Sequence, residues 1–210
     1  MFSIKICGLT NYDDALAARE AGADYLGFVT YAKSPRAIEA AYLRAICEKL
    51  PAGARTAGVF VNAARAEVEK AACDCGLTVV QLHGDESGGE FHELAWPLWR
   101  AIRLSGGLCR PLPENWPCDL YVVDAAPDGV YGGAGQTVDW NAAADFARRH
   151  AMLLAGGLTP ENVSEAICAV RPAGVDVASG VESSPGRKDR AQVRLFIERA
   201  RAAARKAGLE

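Results

Sequence analysis

The chain lacks most of the features that announce a specialised binding surface. There is no surplus of charge, since 23 Lys+Arg against 26 Asp+Glu in 210 residues leave a net charge of −3; this excludes a chain drawn by its overall charge to nucleic acid or to an anionic membrane. The basic residues from Arg187 to Lys206 share their segment with Val193, Phe196, Ile197, Ala200 and Ala204 at helical spacing, the pattern of a solvated outer helix face. No apolar run is long enough to cross a bilayer, and Asn11, Asp13 and Asp14 arrive too early for a signal peptide. The seven cysteines are odd in number and irregularly spaced, which argues against a disulfide framework, and a reducing, cytoplasmic setting is expected. Cys73-Asp74-Cys75 has no further Cys or His at zinc-site spacing, and no metal is expected there. With no internal linker, residues 1–210 are expected to form one domain, and a monomer is the default.

What the chain does have is alternation. Short apolar runs at Ser3–Cys7, Tyr25–Val29, Thr56–Val61, Leu77–Leu82, Leu98–Leu104, Leu120–Val123, Met152–Ala155 and Gly174–Ala178 are separated by crossovers, most of which carry apolar residues at helical spacing. Thr10 is expected to cap a helix over Asn11–Ala21, and a short helix is expected over Ser87–Ala95. Pro111, Pro113 and Pro117 predict that the crossover after the fifth strand holds no more than a broken helix. Eight continuous apolar strands with eight crossovers point to an α/β fold of the (β/α)8 TIM-barrel type, with a doubly wound open sheet as the alternative.

The organising stretch is the last third. Leu153-Leu154-Ala155-Gly156-Gly157 and Val175-Asp176-Val177-Ala178-Ser179-Gly180 are two strand ends that open into glycine-bearing turns. Side by side, they would gather the backbone N–H groups of Gly157, Ser179 and Gly180 around one point and cradle a phosphate. In a barrel, polar groups just after the strand ends share one mouth, so Cys7, Arg36, His83, Asp124, Asp176 and Ser179 become neighbours. Each also has an ordinary reading: Cys7 as a small apolar residue, Asp124 as a turn cap, Arg36 in a surface ion pair, His83 as a structural histidine.

Lys5-Ile6-Cys7-Gly8-Leu9-Thr10 resembles the opening motif of the phosphoribosylanthranilate isomerases. The resemblance runs on through Gly27-Phe28-Val29 with Lys33-Ser34-Pro35-Arg36, Gly58-Val59-Phe60-Val61-Asn62, Val80-Gln81-Leu82-His83-Gly84-Asp85, Leu154-Ala155-Gly156-Gly157-Leu158 and Gly174 to Gly186 with Lys188-Asp189. It implies a metal-free and cofactor-free Amadori rearrangement in tryptophan biosynthesis, acting on a small phosphosugar and involving no nucleic acid or membrane. By the same resemblance Cys7 is the general base, Asp124 the general acid and Arg36 the binder of the anthranilate carboxylate. Gly156, Gly157, Asp176, Ser179 and Gly180 fall to substrate binding, and His83 to support. The chain departs from the family pattern at Ala32, Ala134 and Ala178. Two other readings of the residues are a different phosphosugar isomerase or epimerase, which needs another acid–base pair, and a silent metabolite-binding barrel.

Overall fold

A computed structural model of the chain describes residues 2–105, 108–116, 118–124 and 138–210. Nine strands form one sheet: β1 (Ser3–Ile6), β2 (Tyr25–Val29), β3 (Thr56–Phe60), β4 (Val79–Leu82), β5 (Leu98–Ser105), β6 (Leu108–Arg110), β7 (Leu120–Asp124), β8 (Met152–Leu154) and β9 (Gly174–Val177). Their order is β4-β3-β2-β1-β9-β8-β7-β5-β6, and a further β4–β5 pairing closes the ring. Every pair within the ring is parallel, while β6 hangs on β5 as an antiparallel strand. The expected (β/α)8 barrel is therefore present, and the β4–β5 register of Val80↔Leu98 to Leu82↔Arg100 decides against the open sheet.

The helices α1 (Tyr12–Glu20), α2 (Ala40–Lys49), α3 (Arg65–Asp74), α4 (Trp140–Ala147), α5 (Val163–Val170) and α6 (Arg190–Lys206) follow their strands. Strand alternation sorts the side chains. Ile4, Ile6, Leu26, Phe28, Val80, Leu82 and Val123 belong to the main apolar cluster, together with helix residues such as Ala15, Leu43, Val68, Phe146, Ile167 and Phe196. A second cluster of Ala57, Val79, Trp99, Val122, Leu153 and Ala155, joined by Tyr25 and Leu120, fills the inside of the barrel. Trp99 meets Tyr25 edge-on at 4.7 Å, and the Arg55 guanidinium lies 4.3 Å from the Tyr25 ring centroid. That plug leaves the polar interior positions to the upper layers. Among the described residues no helix is long and apolar enough to cross a membrane.

Two local expectations need correction. The cap of α1 is Asn11, whose Oδ1 accepts from Asp14 N at 2.9 Å, whereas the Thr10 hydroxyl donates to Gly186 O at 2.6 Å and ties β1 to the end of the barrel. No helix forms over Ser87–Ala95, where the backbone runs through successive turns. Gly88 sits so close to Asn115 O that a side chain has no room, and Glu93 is left-handed at φ 55°, neither of which a helix accommodates. As expected, the described part of the crossover after β5 carries only a fragment of helix, a 3-10 turn at Pro113–Asn115, and it also holds the strand β6, which the prolines gave no reason to expect; Pro117 lies outside the described residues. The covering that a helix would provide here comes instead from a buried ion pair. Arg100 Nη1 donates to Glu86 Oε2 at 2.8 Å and Nη2 to Gly84 O at 2.6 Å, with the guanidinium 4.4 Å from the Trp116 ring centroid. The glycine-rich stretch with Ala134, singled out in the sequence, lies outside the described residues.

Candidate active site

All nine predicted site residues, Cys7, Arg36, His83, Asp124, Gly156, Gly157, Asp176, Ser179 and Gly180, line one cavity of about 330 Å³ at the C-terminal ends of the strands. They lie at strand ends or in the turns that follow them. Cys7 follows β1, and its N–H continues the ladder by donating to Val177 O at 2.8 Å; the His83 N–H does the same from β4 to Phe60 O at 2.8 Å. Asp124 closes β7 and is 6% exposed.

The two turns of the expected cradle are packed directly on each other. Gly156 and Gly157 take successive positive φ values of 78° and 60°, a region that L side chains rarely enter. Asn162 braces that turn: its Oδ1 accepts from Thr159 N at 2.8 Å, and its Nδ2 donates to Gly157 O at 2.9 Å. Ser179–Val181 forms a 3-10 turn after β9, and a Cβ on Gly180 would run into Leu158 O. Backbone therefore meets backbone, and the cradle is built of peptide groups more than of side chains.

His83 is a neutral ring held between β4 and β7. Burial, with the cations Lys5, Arg100 and Arg103 around it, pushes its pKa down to about 3. Gln81 Nε2 lies 3.2 Å from His83 Nδ1. With the amide nitrogen donating to Nδ1, the ring proton sits on Nε2, which faces Asp124 Oδ2 at 3.9 Å. No other described group meets that Nε2 within hydrogen-bond distance.

Arg36 is less open than its sequence position implied. Nε donates to Glu182 Oε1 at 2.9 Å and Nη2 to Glu182 Oε2 at 2.8 Å, and Lys188 Nζ also donates to Glu182 Oε1 at 2.9 Å. A Cβ on Gly8 would lie 2.6 Å from Arg36 Cδ, so the arginine stem lies across a glycine and its fork is held before any ligand arrives. The edge carrying Nη1 and Nη2 is left for a second carboxylate. Glu182 and Lys188 belong to the hairpin β10 (Glu182–Ser184) and β11 (Arg187–Lys188). Neither was singled out in the sequence, because Glu182 is 146 residues from its partner and no spacing rule spans that distance.

Lys5 was also missed as a site residue. It is fully buried, and its Nζ donates to Asp176 Oδ2 at 3.0 Å. Burial pushes the Cys7 thiol up, Lys5 opposes that push, and Asp176 adds to it, leaving the thiol above its ordinary range. The usable signal was the alternation of β1, which puts residues 5 and 7 on one interior face.

The closed parallel barrel, with a cavity at the C-terminal ends of its strands, has the architecture of the (β/α)8 barrel enzymes. The family model described as N-(5'-phosphoribosyl)anthranilate (PRA) isomerase matches residues 4–199. A relative of that name from Trichlorobacter lovleyi is 44% identical over 204 residues, covering 97% of this chain and 100% of its own. The crystal structure of phosphoribosyl anthranilate isomerase from Thermus thermophilus superposes with a TM-score of 0.86 at 34% identity, over 96% of this chain and 99% of that one. A second crystal structure, of a phosphoribosyl anthranilate isomerase in complex with reduced 1-(o-carboxyphenylamino)-1-deoxyribulose 5-phosphate, gives 0.81 at 34% identity, over 96% and 100%. The chain belongs to the phosphoribosylanthranilate isomerase family, the aldose–ketose isomerases of tryptophan biosynthesis.

Proposed function

We propose that this chain catalyses the Amadori rearrangement of N-(5-phosphoribosyl)anthranilate to 1-(2-carboxyphenylamino)-1-deoxyribulose 5-phosphate with Asp124 as general acid and Cys7 as general base. Asp124 delivers a proton to the furanose ring oxygen as the anilino nitrogen lone pair expels it, so that the C1–O bond breaks and an imine forms. Cys7 then takes the C2 proton, and the electron pair moves through C1 to nitrogen. The resulting enolamine tautomerises to the 2-ketone. The aldose carbon is reduced and C2 oxidised within one molecule, so the atoms balance without an outside redox partner.

The observation that carries this reading is the arrangement of one cavity. It is lined by Cys7 from β1 and by Asp124 from β7, with the glycine turns after β8 and β9 forming part of the wall. A substrate phosphate on Gly157, Ser179 and Gly180 and its carboxylate on the outer edge of Arg36 would span the cavity and set the sugar between acid and base. Gly156 would shape the phosphate turn, Asp176 Oδ1 would accept from a sugar hydroxyl, and the His83 Nε2–H would donate to a sugar oxygen. The acid needs a proton at neutral pH, and the cover over Asp124 together with an incoming phosphate dianion supports that state.

The test is consumption of the fluorescence of freshly formed phosphoribosylanthranilate by the purified protein. Cys7→Ala and Asp124→Asn are each expected to lower turnover about 10²–10⁴-fold while still binding the reduced product analogue. Near-wild-type turnover in either variant removes the role given to that residue.

A further inference from the structure

Lys5 takes no part in the acid–base scheme, yet the fold encloses its ammonium completely, a costly placement unless the charge is used. Its position is dictated from three sides. It shares the interior face of β1 with Cys7, two residues on. It stands in register with Asp176 on β9, and Nζ donates to Asp176 Oδ2 at 3.0 Å. From β2, Gly27 makes room for both: a Cβ there would lie 2.8 Å from Cys7 Sγ and 2.9 Å from Lys5 Cε. Any larger residue would wedge the amine and thiol side chains out of their common space.

The charged groups around Cys7 are few. Lys5 comes from its own strand, Asp176 from β9 and Lys188 from β11. Lys188 Nζ is committed to Ala178 O and Glu182 Oε1, both at 2.9 Å. Asp176, in contrast, lines the cavity and has its Oδ1 unpartnered among the described residues. One buried cation thus faces two groups that compete for it, a carboxylate and a thiol.

We propose that Lys5 is a positioning residue that sets the ionisation of Cys7, its single ammonium being shared between Asp176 and the thiol, so that the thiolate gains the cation as a bound sugar engages Asp176. The proposal rests on Cys7 being the base. Directions of shift agree with the geometry: burial lowers the Lys5 pKa, but Asp176 and then Cys7 raise it by more, and at Cys7 the two neighbours act with opposite sign.

The experiment reads Cys7 ionisation in the substrate-free protein, from the pH dependence of iodoacetamide labelling of the Cys7 peptide by mass spectrometry, which separates it from the other cysteines. Lys5→Gln keeps hydrogen-bond donors and removes the charge. It is expected to raise the labelling midpoint by about one pH unit or more, slowing labelling about tenfold below it, and to move the basic shift of kcat/KM in the same direction. Asp176→Asn is expected to lower the midpoint. Opposite signs show that both charges act on the thiol, which a purely structural role for Lys5 does not produce, and the sharing is read from the double variant: Asp176→Asn is expected to lower the midpoint less in the Lys5→Gln background than in the wild type, and an equal fall overturns the sharing. An unmoved midpoint in Lys5→Gln, or the same direction in both variants, overturns the proposal. Should Lys5→Gln fail to fold, Lys5→Met, which keeps the apolar stem and removes the charge, takes its place: a raised midpoint supports the proposal, and an unmoved or lowered one overturns it. Failure of the underlying base assignment is separately visible, as near-wild-type turnover of Cys7→Ala alongside intact labelling shifts.

Discussion

Burial among cations drives the pKa of His83 down to about 3, against about 6.5 for a histidine in an unfolded chain. Between those values the unfolded chain binds a proton that the folded protein refuses, so stability is complete above about 6.5 and is lost as pH falls towards 3. His83→Gln, which can still reach Gln81 but does not titrate, is expected to flatten this limb. Urea unfolding at pH 7 and pH 4.5 should show wild type losing on the order of 2 kcal/mol more than the variant. Equal losses would mean that the ring is not held neutral. Of the residues proposed to act, Cys7 and Arg36 stand in stretches that carry the family resemblance, and Asp124 stands out as the polar end of an apolar run. Lys5, Gln81, Glu182 and Lys188 act through partners that only closure of the barrel supplies. Lys5 and Asp176 are 171 residues apart, and nothing local in either segment announces the pair.

At the scale of elements, the eight strands could be read from the chain because each is a short apolar run buried on both faces. Helices are capped by polar residues, Asp139 ahead of α4 and Asp189 ahead of α6, although at α1 the cap expected at Thr10 falls one residue later, at Asn11. The failures fall where packing overrides local preference. Ser87–Ala95 has helix-forming residues, but its conformation answers to Gly88 against Asn115 and to Glu86 under Arg100. The cradle turns are the opposite case, since glycine at 156, 157 and 180 is demanded by local sterics and was visible as such. Gly180→Ala would force Leu158 O away and part the two turns. Its affinity for the reduced product analogue, measured calorimetrically, is expected to fall at least about tenfold, equivalent to about 1.4 kcal/mol. Ser179→Ala, which removes a hydroxyl and no backbone donor, should lose less. A reversed order would move the phosphate contact from the backbone to the serine side chain.

For the molecule as a whole, closure rests on two seams, β4 with β5 and β1 with β9. Alternation of strands and crossovers could not distinguish closure from an open sheet, because both bury strands on two faces; the β4–β5 pairing is a long-range fact. The same seams divide the cavity's contributors. Cys7, Arg36 and His83 come from the segment before β5, whereas Asp124, the glycine turns and Asp176 come after it. The proposed base, Cys7, and the proposed acid, Asp124, thus belong to different halves of the chain. Cutting the backbone beside the exposed Ala95 would give two polypeptides, each holding one half of a reaction. Neither is expected to turn over substrate alone. Mixed at low concentration, they should recover isomerase activity that rises with the product of the two concentrations, which makes tryptophan-independent growth a selectable readout of whether two fused partner proteins meet. Activity from either polypeptide by itself would show that the acid and the base do not lie where they are placed here.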